Sequence, residues 1–174
     1  YNLKEFAAQH HLESIFGAYA AHIYIDDLCE DELKEMALER TLFTKLVLVT
    51  RGNINMKVLQ QGAETDGTAR TLISGELLVI SPKHVIAFSD MSADFEAEAI
   101  LVDEEISADV VYQLSADKQK AALDIFHMIR DIVRHQHIYK VEMIQSMVNV
   151  LKLLVSELPY ENVSVTRDLR HKKE

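Results

Sequence analysis

The hydrophobic positions of this chain follow two regimes. Between residues 40 and 103 they recur at every second position or in short apolar blocks; after residue 115 they recur every third or fourth. The first pattern describes strands with one side in a core, the second amphipathic helices. Residues 46–58 read LVLVTRGNINMKV: Leu46, Leu48 and Thr50 alternate with Val47, Val49 and Arg51, and Ile54, Met56 and Val58 follow a Gly52-Asn53 break. Two β-rich runs around a Gly/Asn pair predict a hairpin. Residues 60–71 are polar, contain Gly62 and Gly67, and are expected to be a loop. Gly75-Glu76 opens a third apolar run, closed by Ser81-Pro82, and residues 84–88 make a fourth. In residues 94–103, DFEAEAILVD, Phe95, Ala97, Ala99 and Leu101 share one side and Glu96 and Glu98 the other. That alternation predicts a strand with two outward carboxylates.

The flanks read differently. Residues 2–16 suggest a helix with Leu3, Phe6, Ala7 and His10 on one side and Gly17 as its stop. Residues 19–25 are β-like, and residues 26–35, DDLCEDELKE, form an acidic connection. Residues 104–114 look like a connector with short helical potential. Ser115 then offers an N-cap for a helix to about His135, with Ala121, Ala122, Ile125, Ile129, Ile132 and Val133 on its apolar side. A second helix is expected over residues 139–158, stopped by Pro159. It carries two stripes. Val141, Ile144, Val148, Leu151, Val155 and Leu158 form one; Met143, Met147, Val150 and Leu154 form the other. Two adjacent stripes exceed what one surface helix needs, so a second copy of the chain is the expected partner, with the first stripe as its interface.

Composition narrows the class. The 174 residues are 48% hydrophobic and 26% charged, as in one ordinary globular domain with a helical extension. No apolar run approaches the ~20 residues that span a bilayer, and the single cysteine, Cys29, precludes an intrachain disulfide. A cytoplasmic setting is expected. The formal net charge is −10, from 28 acidic and 18 basic residues. Duplex DNA selects a basic face, so any DNA contact is expected from a domain outside this chain.

Gly75, Leu77, Ile80, Pro82 and His84 fit the pattern G-x-L-x-x-I-x-P followed by a histidine-bearing strand. With the LVLVTRGNINMKV run before it, this segment resembles a cupin barrel, in particular the N-terminal sensor domain of AraC-type transcription regulators. The motifs cover residues 41–101, and the layout extends to about Leu158. The resemblance implies an α+β fold: a cupin-like (double-stranded β-helix, jelly-roll) barrel over residues 1–105, two antiparallel helices for dimerisation over 106–160, and a polar linker over 161–174 toward a helix-turn-helix half. It implies a small-molecule effector inside the barrel and a homodimer. Taking period 2 for the inward side, the effector-contacting residues are expected to be Leu48, Thr50, Ile54, Met56, His84, Phe88, Phe95 and Ala97, with Thr50 and His84 as the polar contacts.

Catalytic chemistry is not expected. A metal-dependent cupin carries an H-x-H pair and a Glu on its first motif, and residues 51–61 contain no histidine. A bound metal is therefore not expected, and no cofactor is implied. His127, Asp131 and His135 share a helical side at spacing four, a candidate for adventitious metal only. Adjacent His10 and His11 point apart on a helix. No Walker loop, G-x-S-x-G or H-E-x-x-H string occurs. The rival readings are a stand-alone cupin isomerase or dioxygenase, and an interaction module with a filled barrel.

Overall fold

The computed structural model describes residues 1–59, 69–82, 84–106 and 111–173, with side chains as far as Pro159. The order is α1 (Leu3–Gln9), β1 (Ile15–Phe16), β2 (Ala20–Tyr24), a 3-10 turn, α2 (Glu30–Leu38), β3 (Thr44–Arg51), β4 (Asn53–Leu59), β5 (Ala69–Ile73), β6 (Glu76–Ile80), β7 (Val85–Ser89), β8 (Glu96–Val102), β9 (Val111–Gln113), α3 (Ala116–Arg134) and α4 (Lys140–Lys173). The fold is α+β with antiparallel pairing throughout: a six-stranded sheet ordered β1-β2-β8-β3-β6-β9 and a three-stranded sheet ordered β5-β4-β7. The two sheets face each other without closing into a hydrogen-bonded barrel among the described residues.

The large sheet is buried on both sides. Val47, Val49, Leu78, Ile80, Ala97, Ala99 and Leu101 face the small sheet, where Ile54, Met56, Leu72, Ile86 and Phe88 meet them, and α1 and α2 add Leu3, Phe6, Leu33 and Met36. Leu46, Leu48, Leu77, Val79, Ile100 and Val102 face the other way, onto α3 and α4. The molecule is thus three layers: small sheet with N-terminal helices, large sheet, C-terminal helices.

Gly52-Asn53 is a crossover between sheets. β3 pairs with β6 and β8, whereas β4 pairs with β5 and β7, so the expected hairpin is replaced by a sharp turn from one sheet into the other. The pairing shifts register between Val49 and Arg51, and Gly52 follows at φ +75°. Strands β5 and β9 lie in stretches that read as loop and connector, and the described part of the expected loop begins at β5; residues 60–68 lie outside the described residues. α1 stops at Gln9, short of the expected Phe16, where His11 takes φ 55° and breaks the helix. The acidic 26–35 stretch contributes a true helix, α2.

Helix α3 starts where Ser115 predicts, its hydroxyl accepting from the Lys118 N–H at 3.3 Å. Helix α4 does not stop at Pro159: its backbone stays helical to Lys173 with Pro159 inside. A proline costs a helix one hydrogen bond and bends it, without always ending it. Residues 161–173 therefore continue α4 rather than forming the expected irregular linker. Among the described residues no helix is long and apolar enough to cross a membrane.

A Cβ on Gly52 would lie 2.8 Å from the Phe95 Cα, a backbone atom with little freedom to move. Its left-handed φ adds strain for any other residue. Gly52→Ala is expected to destabilise the fold by about 1–3 kcal/mol; a urea midpoint equal to wild type would refute this.

Candidate functional site

Three regions carry the chemistry that the chain brings together, and the first is the space between the sheets. Ile54, Met56, Phe88, Phe95 and Ala97 lie in this inner core, on the side period 2 predicts. Leu48, Thr50 and His84 do not. Leu48 points into the other core, against the C-terminal helices. Thr50 is exposed, its hydroxyl donating to the Glu96 carbonyl at 3.1 Å. His84 sits half-buried beside the β6–β7 turn, its Nδ1 2.8 Å from Ser81 Oγ. The error has a physical cause. β3 is apolar on both phases because both of its sides are covered, so alternation cannot tell Leu46 and Leu48 from Val47 and Val49.

Among the described residues, a cavity of about 30 Å³ in the inner core is bordered by Phe6, Ile23, Met36, Lys45, Phe88 and Ala99. That is one water's share of liquid volume. Lys45 is the unforeseen residue here. Its Nζ donates to the Met36 and Glu39 carbonyls at 2.9 and 3.0 Å, closing two carbonyls that the end of α2 would leave unpaired. Burial lowers the Lys45 pKa to about 8, against the opposing pull of the Glu39 carboxylate. With its folded value below the ordinary 10.5, Lys45 opposes folding most below pH 8, and that penalty disappears as pH rises from about 8 to 10.5. Wild type is therefore expected to gain stability over that window relative to Lys45→Met, by urea melts at matched pH. Parallel pH profiles would contradict the assignment.

The second region joins the large sheet to α3. Glu98 on β8 is 8% exposed, not outward as its alternation suggests, because α3 covers that side of the strand. His22 Nε2, on neighbouring β2, lies 2.7 Å from Glu98 Oε1, and His127 Nε2, on α3, lies 2.9 Å from Oε2. An ionised carboxylate only accepts, so each imidazole donates its Nε2–H. His22 Nδ1 is buried with no hydrogen-bond partner. Tyr24 closes the edge of His22 with ring centroids 4.6 Å apart, and Arg130 from α3 donates to the Tyr24 hydroxyl at 2.6 Å. Burial pushes the Glu98 carboxyl up, but the hydrogen bonds and charge of His22 and His127 outweigh it and hold the group below the usual range. Glu96, two residues away, stays exposed near Arg51. His135 turns its Nδ1 to the Asp131 carbonyl at 2.7 Å, while Asp131 pairs with Arg130, so the expected His127–Asp131–His135 alignment is dispersed. Among the described residues no group of three or more His, Cys, Asp or Glu is arranged to hold a metal.

The third region is the outer side of the helix pair. Ile144, Val148, Leu151, Val155 and Leu158, expected at a dimer interface, are buried within the chain against α3 and the large sheet; Val141 is half-buried. Each would cost about 1.5–3 kcal/mol to expose, so this stripe is core. The second stripe is open only over Met143, Met147 and Val150; its last member, Leu154, is buried in the outer core. Met143 and Met147 are half-buried. With Met128 of α3, 51% exposed, and the polar Glu142 and Ser146, they line a groove of about 270 Å³; Val150 is 44% exposed.

No family model and no curated protein matches the chain. Solved structures similar to it include the AraC-like transcriptional activator CuxR, at 13% identity and TM-score 0.46 over 80% of this chain and 48% of that one. Another is apo ToxT from Vibrio cholerae, at 9% identity and TM-score 0.39, over 72% and 49%. Oxalate decarboxylase from Bacillus subtilis is similar at 10% identity and TM-score 0.32, over 60% and 31%. AraC-like regulators and a cupin enzyme are thus among its structural neighbours, and the chain spans half or less of each.

Glu98→Ala leaves two imidazoles facing an empty position and is expected to cost about 3–5 kcal/mol. Because the folded carboxyl value lies below the unfolded one, Glu98 stabilises above the ordinary Glu range, and that contribution is lost as pH falls through the folded value. Glu98→Gln is expected to flatten the acid limb of the stability profile. An acid limb unchanged from wild type would show that the carboxylate is not held by these histidines.

Proposed function

We propose that this chain is the effector-responsive and dimerisation half of an AraC-type transcription regulator, acting without catalysis in the cytoplasm, with DNA bound by a domain outside it. The observation that carries this reading is the layering of the helix pair: α3 and α4 are seated on the sheet by one packed stripe, while Met143, Met147 and Val150 with Met128 remain an apolar strip. Flexible methionines suit a surface that repacks against a partner. Of the motif that carries the resemblance, Leu77 and Ile80 lie in β6, while His84 falls just before β7 rather than on a strand. The net charge of −10 argues against duplex contact by this part. His22, Glu98 and His127 support a non-catalytic role, since their mutual hydrogen bonds fasten sheet to helix.

The partner is a second copy related by a two-fold axis, meeting through the methionine strip. Wild type is expected to sediment as a dimer at tens of micromolar, and Met147→Glu with Val150→Glu as a folded monomer, its dimerisation constant weakened about ten-fold or more. Val148→Glu with Leu151→Glu is instead expected to unfold, because those side chains are core. A monomeric wild type overturns the proposal.

A further inference from the structure

A larger cleft than the inner-core cavity bordered by Phe6, Met36 and Phe88 lies on the other side of the large sheet. It encloses about 420 Å³ between the β1–β2 turn, the segment after β8, and α4. Small-molecule pockets occupy roughly 300–1,000 Å³.

Its walls are held in place from several elements. Gly17 turns the chain at φ +49°, the Tyr19 N–H donates to the Phe16 carbonyl at 3.0 Å, and the Tyr19 ring stacks on Phe16 with centroids 5.4 Å apart. The Asp103 N–H donates to the Tyr19 carbonyl at 3.2 Å. Thr44 Oγ1 donates to the Glu104 carbonyl and accepts from the Ile106 N–H. The backbone that carries both carboxylates is therefore fixed on either side. Across the cleft, α4 supplies the amides of Gln145 and Asn149 and a floor of Ile144 and Val148. Lys152 reaches over from α4, its Nζ 3.5 Å from Glu104 Oε1, with both groups partly exposed.

We infer that this cleft binds a small organic cation, an ammonium group carried on a compact apolar body. Asp103 and Glu104 bring two carboxylates to the cleft and Lys152 pairs with Glu104, while Lys140, over the Phe16 ring at 4.6 Å, donates to the Val133 carbonyl; the chain's charge of −10 raises the local concentration of cations. The ammonium meets Asp103 and Glu104, the body lies on Ile144 and Val148, and the Tyr19 ring offers a π face. This rests on the sensor reading, for which it supplies the effector's place and class. α4 forms one wall and the sheet the other, so occupancy favours one seating of α4 on the sheet.

The test is an amide-resolved NMR titration of the chain with tryptamine, beside indole-3-propionate, which has the same ring and a similar arm but the opposite charge. Tryptamine is expected to give saturable shifts at Tyr19, Asp103, Glu104, Gln145 and Asn149, with indole-3-propionate about ten-fold weaker or more. Asp103→Asn with Glu104→Gln is expected to remove that preference, and Asn149→Trp, at an exposed position, to block binding with melting unchanged. Shifts centred on Val47, Phe88 and Ala99 would move the site to the inner core and overturn the inference. So would equal binding of both probes, or no saturable shift from either. Sedimentation of the same sample separates the two proposals: a monomer that binds tryptamine in the cleft sinks the dimer reading alone, and a dimer that does not bind sinks the cleft alone.

Discussion

Everything in this molecule is arranged around a sheet that has no wet side. β3 passes through its middle with six consecutive buried residues, 44–49, and its neighbours β6 and β8 are buried almost as completely. An antiparallel sheet commonly leaves one side to solvent. This one is covered by a second sheet on one side and a helix pair on the other, so its side chains alternate between two cores. Val47 and Leu48 are chain neighbours that never share a contact environment. Removing α3 and α4 would expose Leu46, Leu48, Leu77, Val79, Ile100 and Val102 together, a patch too large for a stable free surface. The helices are therefore part of what keeps the large sheet stable, since they cover one of its two buried sides.

The polar exception in the outer core follows from the same arrangement. A carboxylate on β8 that solvent cannot reach must be paired or neutralised. Glu98 is paired twice, by one imidazole from its own sheet and one from the helix that covers it. Apolar packing alone would hold α3 on the sheet but would tolerate sliding by a turn. A carboxylate with two oxygens committed to two donors fixes register along the helix, because sliding by one turn, about 5.4 Å, would carry the His127 Nε2 out of reach of Oε2. On the opposite side of the same strand, Ala97 and Ala99 face the inner core. Whatever shifts β8 on one side is thus felt by α3 on the other within a single residue step.

Sequence made the two regimes, the central strands and the start of α3 legible, because each has a local cause: period 2, period 3.6, and a capping serine; β5, β9 and α2 it missed. It failed wherever the cause was not local. Period 2 assigned Leu48 and Thr50 inward because an apolar residue on either phase looks the same when both sides are buried. Gly52-Asn53 was read as a hairpin turn; only the pairing partners reveal that the chain changes sheets there. Glu98 carried an ordinary outward-carboxylate signature, and nothing nearby in sequence announces that His127, 29 residues on, will cover it. Nothing in the sequence around Lys45 announces that the carbonyls at the end of α2 draw its ammonium inward. In α4 the stripe expected to face a partner, Ile144 to Leu158, is packed inside the chain, together with Leu154 of the other stripe. The branched and leucine stripe went to the core, which rewards shape-fixed side chains, and the methionines were left at the edge.

That placement bears on how such a module could respond. A dimer face built from the Ile144–Val155 stripe would have to be uncovered by unseating α4 at a cost of several buried aliphatic side chains, each about 1.5–3 kcal/mol. A face built from Met143, Met147 and Val150 needs no unseating, since it is already partly open. Its position depends only on how α4 sits on the sheet, and small shifts of a packed helix lie within the range by which one event repositions another. The side of α4 that forms the large cleft, at Gln145 and Asn149, and the side that carries the methionines are two sides of one rigid rod. A change of α4 seating at the first is a change of presentation at the second, with no intermediate chain of contacts required.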